Sequence, residues 1–148
     1  MRRNSGFTLI EMMVVVAIIA ILSAIALPNL LRNKVQTNET SAIENLRQVC
    51  VAQVSHHNSR EAFGDFASLI SDADGPGTAF LNSTWAEGVV KNGYTFTLPQ
   101  VSAGNFVCFA TPVTVGVTGN RYFRIDTSGI VRFSSTGQPT ADDPPVGS

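Results

Sequence analysis

The sequence predicts an α+β protein in which one long N-terminal helix packs, through its second half, on an antiparallel sheet of about four strands. Three observations predict it. Residues 7–27 are apolar on every side, residues 35–54 carry a single apolar stripe, and residues 94–133 hold short alternating runs parted by turn signals. The 148 residues suffice for one membrane segment and one small domain. Hydrophobic residues make up 44% of the chain, but much of that lies before residue 32, so the remainder is an ordinary polar domain with a modest core. Net charge is −1, and −3 once Arg2 and Arg3 are removed, so no basic footprint for nucleic acid exists.

The first element is the apolar segment. From Phe7 to Leu31 the one ionisable side chain is Glu11. The run rises roughly 30 Å as a helix, about one hydrocarbon core. A carboxylate inside such a run is costly and calls for a partner. Thr8-Leu-Ile-Glu11 also matches a capping box, and Glu11 lies near the positive end of the helix dipole, so capping and an outside partner are compatible roles. Arg2 and Arg3 keep the leader cytoplasmic and send the bulk of the chain across the membrane. Ser23-Ala-Ile-Ala26 is a weak match to a secretory cleavage site; the alternative is cleavage after Gly6, which leaves the helix on the mature protein. Pro28 has no amide to donate and is expected to kink or locally melt the helix. Asn29, Arg32, Asn33 and Lys34 then suit an exit into water.

The helix resumes over 32–58 with its stripe on Val35, Ala42, Ile43, Leu46, Val49, Cys50 and Val54; Glu39, Glu44, Asn45, Arg47 and Gln48 are read as off it. Residues 60–92 form a connecting loop with a turn cluster at Asp72-Ala-Asp-Gly-Pro-Gly77 and a short helix around Phe66–Ile70. Its Phe63, Phe66, Leu69, Ile70, Phe80, Leu81 and Trp85 are expected to pin it onto the long helix. The sheet occupies 93–135, with strands at Tyr94–Leu98, Asn105–Ala110, Arg121–Ile125 and Ile130–Phe133. Gly129 fits the left-handed position of a type I turn with a bulge, a register that faces Ile125 with Val131 and Phe123 with Phe133. Residues 136–148, rich in Pro, Gly and Asp, read as an irregular tail.

Few residues offer chemistry. Cys50 and Cys108 both fall in the part expected outside the cytoplasm, where a disulfide is permitted; two separate buried thiols are the alternative. A bridge would close a loop of about 60 residues, worth on the order of 4 kcal/mol in the chain-entropy picture. Asp72 and Asp74 do not open a calcium loop, because Pro76 and Ser83 stand at its fifth and twelfth positions. His56 and His57 point about 100° apart on a helix and read as its solvated end. No Ser/His/Asp or Cys/His arrangement stands out, so neither an enzyme nor a cofactor or metal is expected.

Gly6-Phe-Thr-Leu-Ile-Glu11, the basic leader, the apolar helix and Pro28 together resemble the N-terminal signal of type IV prepilins, the family of type IV pilins and type II secretion pseudopilins. Pro28-Asn-Leu-Leu-Arg32, Asn38–Ile43, Tyr122–Arg132 and Asp142-Asp-Pro-Pro145 resemble, more weakly, members with a G/H-type head. The resemblance implies a lollipop fold: a leader over 1–6, a transmembrane and filament-core helix over 7–31 and a globular head over 32–148. It also implies that a prepilin peptidase cuts between Gly6 and Phe7 and methylates the new amine of Phe7. Glu11 of one copy would neutralise the Phe7 amine of the next, and copies would polymerise as a helical filament. The implied function is a pilus subunit serving adhesion, twitching motility or DNA uptake, or alternatively a subunit of the periplasmic filament of type II secretion. The implied partners are the peptidase, an assembly ATPase, an inner-membrane platform protein and other pilins or pseudopilins. The implied location is the bacterial inner membrane before assembly, then the cell surface or periplasm. Major pseudopilins bind calcium near the C-terminus, but no matching motif stands here.

Overall fold

The computed structural model describes residues 7–71 and 79–147. The leader with Gly6, and the turn cluster from Asp72 to Gly77, lie outside the described residues. One helix dominates the chain: α1, Leu9–Arg60. It runs through Pro28 without a break, so the expected local melting is absent. Proline removes one amide donor but its φ suits a helix. At the next residue, the Asn29 side-chain amide donates to the carbonyl of Ile25, one turn back, at 3.2 Å.

The chain divides into two compact units, Met1–Lys34 and Val35–Ser148. In the first, every described residue is exposed except the half-buried Ser23. Phe7 is 71% and Leu22 61% exposed, so among the described residues nothing covers this segment.

In the second unit, α1 presents Ala42, Ile43, Leu46, Val49 and Ala52 to the core. Some placements on this helix differ from the sequence reading. Val54 is largely exposed, whereas Glu39, Gln53 and His56 are buried. The buried set 39, 42, 43, 46, 49, 52, 53, 56 keeps the helical period. Val54, five residues beyond Val49, falls off that face, and the polar residues on it are accepted because the fold supplies partners. Gln53 shows how. Its Nε2 donates to the Gly64 carbonyl at 2.6 Å and its Oε1 accepts the Gly64 amide at 3.0 Å. This clamp holds the chain as it leaves α1. His56 is a core residue, not a solvated end: its Nδ1 lies 2.7 Å from the Ala62 carbonyl and Phe80 meets its ring edge-on.

The connection is pinned as expected. Phe66, Leu69, Leu81 and Trp85 are buried, and Phe63, Ile70 and Phe80 pack against them. The short helix α2, Phe66–Leu69, starts at Asp65, whose carboxylate accepts the Ser68 amide at 2.8 Å.

The sheet has five strands, not four: β1 (Val89–Lys91), β2 (Tyr94–Val101), β3 (Phe106–Pro112), β4 (Tyr122–Asp126) and β5 (Arg132–Ser134). They pair antiparallel in the order β1-β2-β3-β4-β5, a meander. The additional strand, β1, falls inside the stretch read as loop. Its three residues are too few to show alternation, but Asn92-Gly93 after it is a strong hairpin signal. Both residues have positive φ, 48° and 75°, as a type I′ turn requires. At the other hairpin Phe123 does face Phe133, and Gly129 has φ 71°.

One sheet face carries Tyr94, Phe96, Leu98, Phe106, Cys108, Ala110, Phe123 and Ile125 into the same core as α1. Burying each large side chain contributes roughly 1.5–3 kcal/mol. The C-terminal segment, irregular as expected, is strapped to β5. Phe133 N donates to Pro144 O at 3.1 Å, Val146 N to Val131 O at 2.8 Å, and Arg132 Nη1 to Asp143 O at 2.7 Å.

Candidate functional site

The residues singled out by sequence fall mostly at the start of α1. Thr8 and Glu11 form the reciprocal capping box. The Thr8 amide and hydroxyl donate to Glu11 Oε2 at 2.9 and 2.6 Å, and the Glu11 amide donates back to Thr8 Oγ1 at 3.3 Å. These bonds satisfy donors that a helix start leaves without intrahelical partners. Both bonds to the carboxylate fall on Oε2. Phe7, Ile10, Val14 and Val15 line an open, largely apolar surface hollow with Glu11.

Around this carboxylate the helix is bare. Among the described residues α1 is the one helix long and apolar enough to cross a membrane. Ile10 (69% exposed) and its neighbours along the helix would meet water if the chain stood alone, a large unfavourable apolar surface. Lipid tails or the same helix from other copies are the covers that fit an all-round apolar surface. Ala17, Ala20, Ala24 and Ala26 permit close approach of backbones in either setting.

The other candidates lie in the second unit. Cys50 and Cys108 are both free thiols, so the disulfide alternative is not the one seen. Cys108 is completely buried on the helix-facing side of β3; burial pushes its thiol far above the ordinary range. Cys50 is half-buried on α1, its thiol raised by burial and then by the Asp126 carboxylate. The C-terminal carboxylates are used structurally. Asp126 accepts the Ser128 amide at 2.9 Å and pairs with Arg124 at 2.9 Å, while Asp143 accepts the Thr140 amide at 2.6 Å.

One cluster was missed by sequence reading. Buried Glu39 accepts the Asn120 amide at 2.8 Å through Oε1, and Arg121 Nε and Nη2 at 2.8 and 2.7 Å through Oε2. Asn38 Nδ2 donates to the Thr118 carbonyl at 2.9 Å. The Arg121 guanidinium also lies over the Phe123 and Phe133 rings, 5.3 and 5.1 Å from their centres. Adjacent helix residues thus fasten the β3–β4 loop. The signal was available: Glu39 keeps helical spacing with Ala42, Ile43 and Leu46, and a charge at such a position implies a buried partner.

Residues 1–27 match the family described as the prokaryotic N-terminal methylation motif. Pilins and type II secretion proteins are among the proteins this chain is similar to. The type IV major pilin protein PilA of Myxococcus xanthus is 42% identical over 78 residues, 53% of this chain and 36% of that protein. The type IV wide pilus major component PilA4 of Thermus thermophilus is 39% identical over 72 residues, 48% of this chain and 55% of that protein. The type II secretion system core protein G of Vibrio cholerae is 46% identical over 46 residues, 31% and 32% of the two chains. The matches therefore span about a third to a half of these relatives' own length. Phe7 and Glu11 lie inside the matched residues, as does the apolar run up to Leu27.

Proposed function

We propose that this chain is the structural subunit of a type IV pilus, polymerising through its N-terminal helix into a cell-surface filament. The observation that carries the reading is the extent of the likeness. It runs over 78 and 72 residues with the two pilus components but over only 46 with the type II core protein. The bare apolar helix supports it physically, because that surface needs lipid before assembly and other helices after it.

In this reading a prepilin peptidase cuts between Gly6 and Phe7 and methylates Phe7, and residues 1–6 are lost as a leader. Residues 7–31 are the membrane and filament-core helix, and residues 32–148 are the globular part. Glu11 pairs with the Phe7 amine of a neighbouring copy. Thr8 occupies Oε2, so Oε1 is the oxygen we assign to that amine. Pro28, which withholds an amide, is where the helix bends on packing into the filament. The assembly ATPase and inner-membrane platform protein act on the helix-bearing subunit, which waits in the bacterial inner membrane. Adhesion, twitching motility and DNA uptake are the uses such a filament serves. The second reading, a periplasmic filament of type II secretion, is favoured by the likeness to core protein G.

Glu11→Gln tests the pairing. Glutamine keeps an acceptor for Thr8 but loses the charge that meets an amine. The variant is expected to be cleaved and inserted normally, with sheared-filament yield falling at least about tenfold, the equivalent of ~1.4 kcal/mol per contact. Wild-type yield would refute the pairing. Intact mass of the mature protein checks the processing: it should begin at N-methylated Phe7, and a retained leader would overturn both filament readings. Deleting the gene separates them, through loss of surface filaments or loss of exoprotein release.

A further inference from the structure

We propose that the β3–β4 loop is a membrane-interface contact, with Val113, Val115 and Val117 seated among the lipid headgroups of the bilayer that holds the N-terminal segment. This rests on the membrane reading above. The three valines are 53%, 54% and 64% exposed. Their exposure does not come from slack in the loop. Gly116 N donates to Gly119 O at 2.9 Å, Thr118 N to Thr114 O at 2.9 Å, and Thr114 N to Thr118 Oγ1 at 3.1 Å. Asn38 and Glu39 hold the far side of the loop through Thr118 and Asn120. The segment 113–120 contains no ionisable side chain. A rigid loop that turns three valines outward has no folding reason to do so, and clustered exposed apolar side chains mark a contact surface.

The position of the loop selects lipid as the occupant. It leaves β3 at the sheet end where Pro112 faces Tyr94, the opposite end from Val107 and Asp126. At that end it is fastened to Asn38, seven residues after Leu31. Seven residues reach no further than roughly 25 Å even fully extended, and about 10 Å as helix. Those residues include Arg32 and Lys34, which suit anionic headgroups. Shallow insertion of a few apolar side chains at the headgroup level is the mode that fits.

Spin labels on the full chain test this in phosphatidylethanolamine–phosphatidylglycerol vesicles, in a Cys50→Ser background with the buried Cys108 left in place. Labels go on Val115→Cys, on Thr127→Cys at the opposite end of the sheet, and on Val16→Cys in the apolar segment. The Val115 label is expected to show a several-fold higher ratio of oxygen to nickel-chelate collisions than the Thr127 label. Val113→Cys and Val117→Cys, expected to agree, guard against one label disturbing the loop. A Val115 label as aqueous as the Thr127 label, with the Val16 label in lipid, overturns this inference alone. An aqueous Val16 label overturns the membrane reading with it. A Val115 label shielded from both relaxants until the protein is diluted in lipid means that a second copy covers the loop, which also overturns it.

Discussion

A Cβ placed on Gly119 would collide with the Tyr94 hydroxyl oxygen. Tyr94 cannot yield easily, because its ring is fully buried and its hydroxyl donates to the Arg121 carbonyl at 2.9 Å. Gly119→Ala is therefore expected to destabilise the chain by roughly 1–3 kcal/mol, the ordinary range for overpacking. Thermal unfolding of the detergent-solubilised protein, followed by circular dichroism, measures it; an unchanged midpoint would mean that the loop slides aside at no cost. The thiols give a second residue-scale outcome. With both free, native alkylation should modify half-buried Cys50 slowly and leave Cys108 untouched, and unfolding should open both. A chain that takes up no label even when unfolded without reductant would be bridged. Sequence reading offered both cysteine outcomes and could not choose, since pairing depends on where two side chains point rather than on their spacing.

At the scale of elements, the join between α1 and the β3–β4 loop depends on Glu39. Its carboxylate is almost fully buried and takes three donors. Glu39→Ala would leave the Asn120 amide and a partly exposed guanidinium without their acceptor, a loss on the order of 2 kcal/mol. Glu39→Gln keeps one acceptor for Asn120 and should lose markedly less. Urea unfolding of the two variants compares them, and equal losses would deny the ion pair any role beyond shape. The long helix and strands β2, β3 and β4 were legible because each repeats a pattern over several residues, and the short β5 because Val131 and Phe133 alternate across the Gly129 turn from Ile125 and Phe123. β1 was not, since a three-residue strand is defined by its partner β2 and by the Asn92-Gly93 turn rather than by a period of its own.

For the whole molecule, acid stability follows from carboxylates held below their ordinary range. Asp65 is lowered first by the Ser68 hydroxyl and then by the Ser68 amide. Burial raises the Asp126 carboxyl, but the Ser128 bonds together with Arg124 and Arg132 outweigh it, leaving it lowered. A carboxylate whose folded pKa lies below its unfolded value stabilises the fold above the unfolded pKa, about 4. That contribution is lost as pH falls through the folded pKa. The melting midpoint should thus hold steady from neutral pH to about 5 and drop below about 4. Asp65→Asn should lower the neutral midpoint and flatten the drop. A midpoint that rises on acidification would contradict the sign.

The sequence by itself determined the fold class, the apolar helix, the stripe that seats its second half on a sheet, and the motif around Phe7 and Glu11. These are local and periodic features, written in neighbouring residues and enforced by the hydrophobic effect. Tertiary structure decided the burial of Glu39, Gln53 and His56, the free state of the cysteines, and the anchoring of the C-terminal segment on β5. Each depends on what a remote part of the chain presents: Arg121 for Glu39, Phe80 for His56, the Pro144 carbonyl for Phe133. A polar side chain becomes a core residue only when such a partner arrives, and those of Glu39 stand 81 and 82 residues away along the chain.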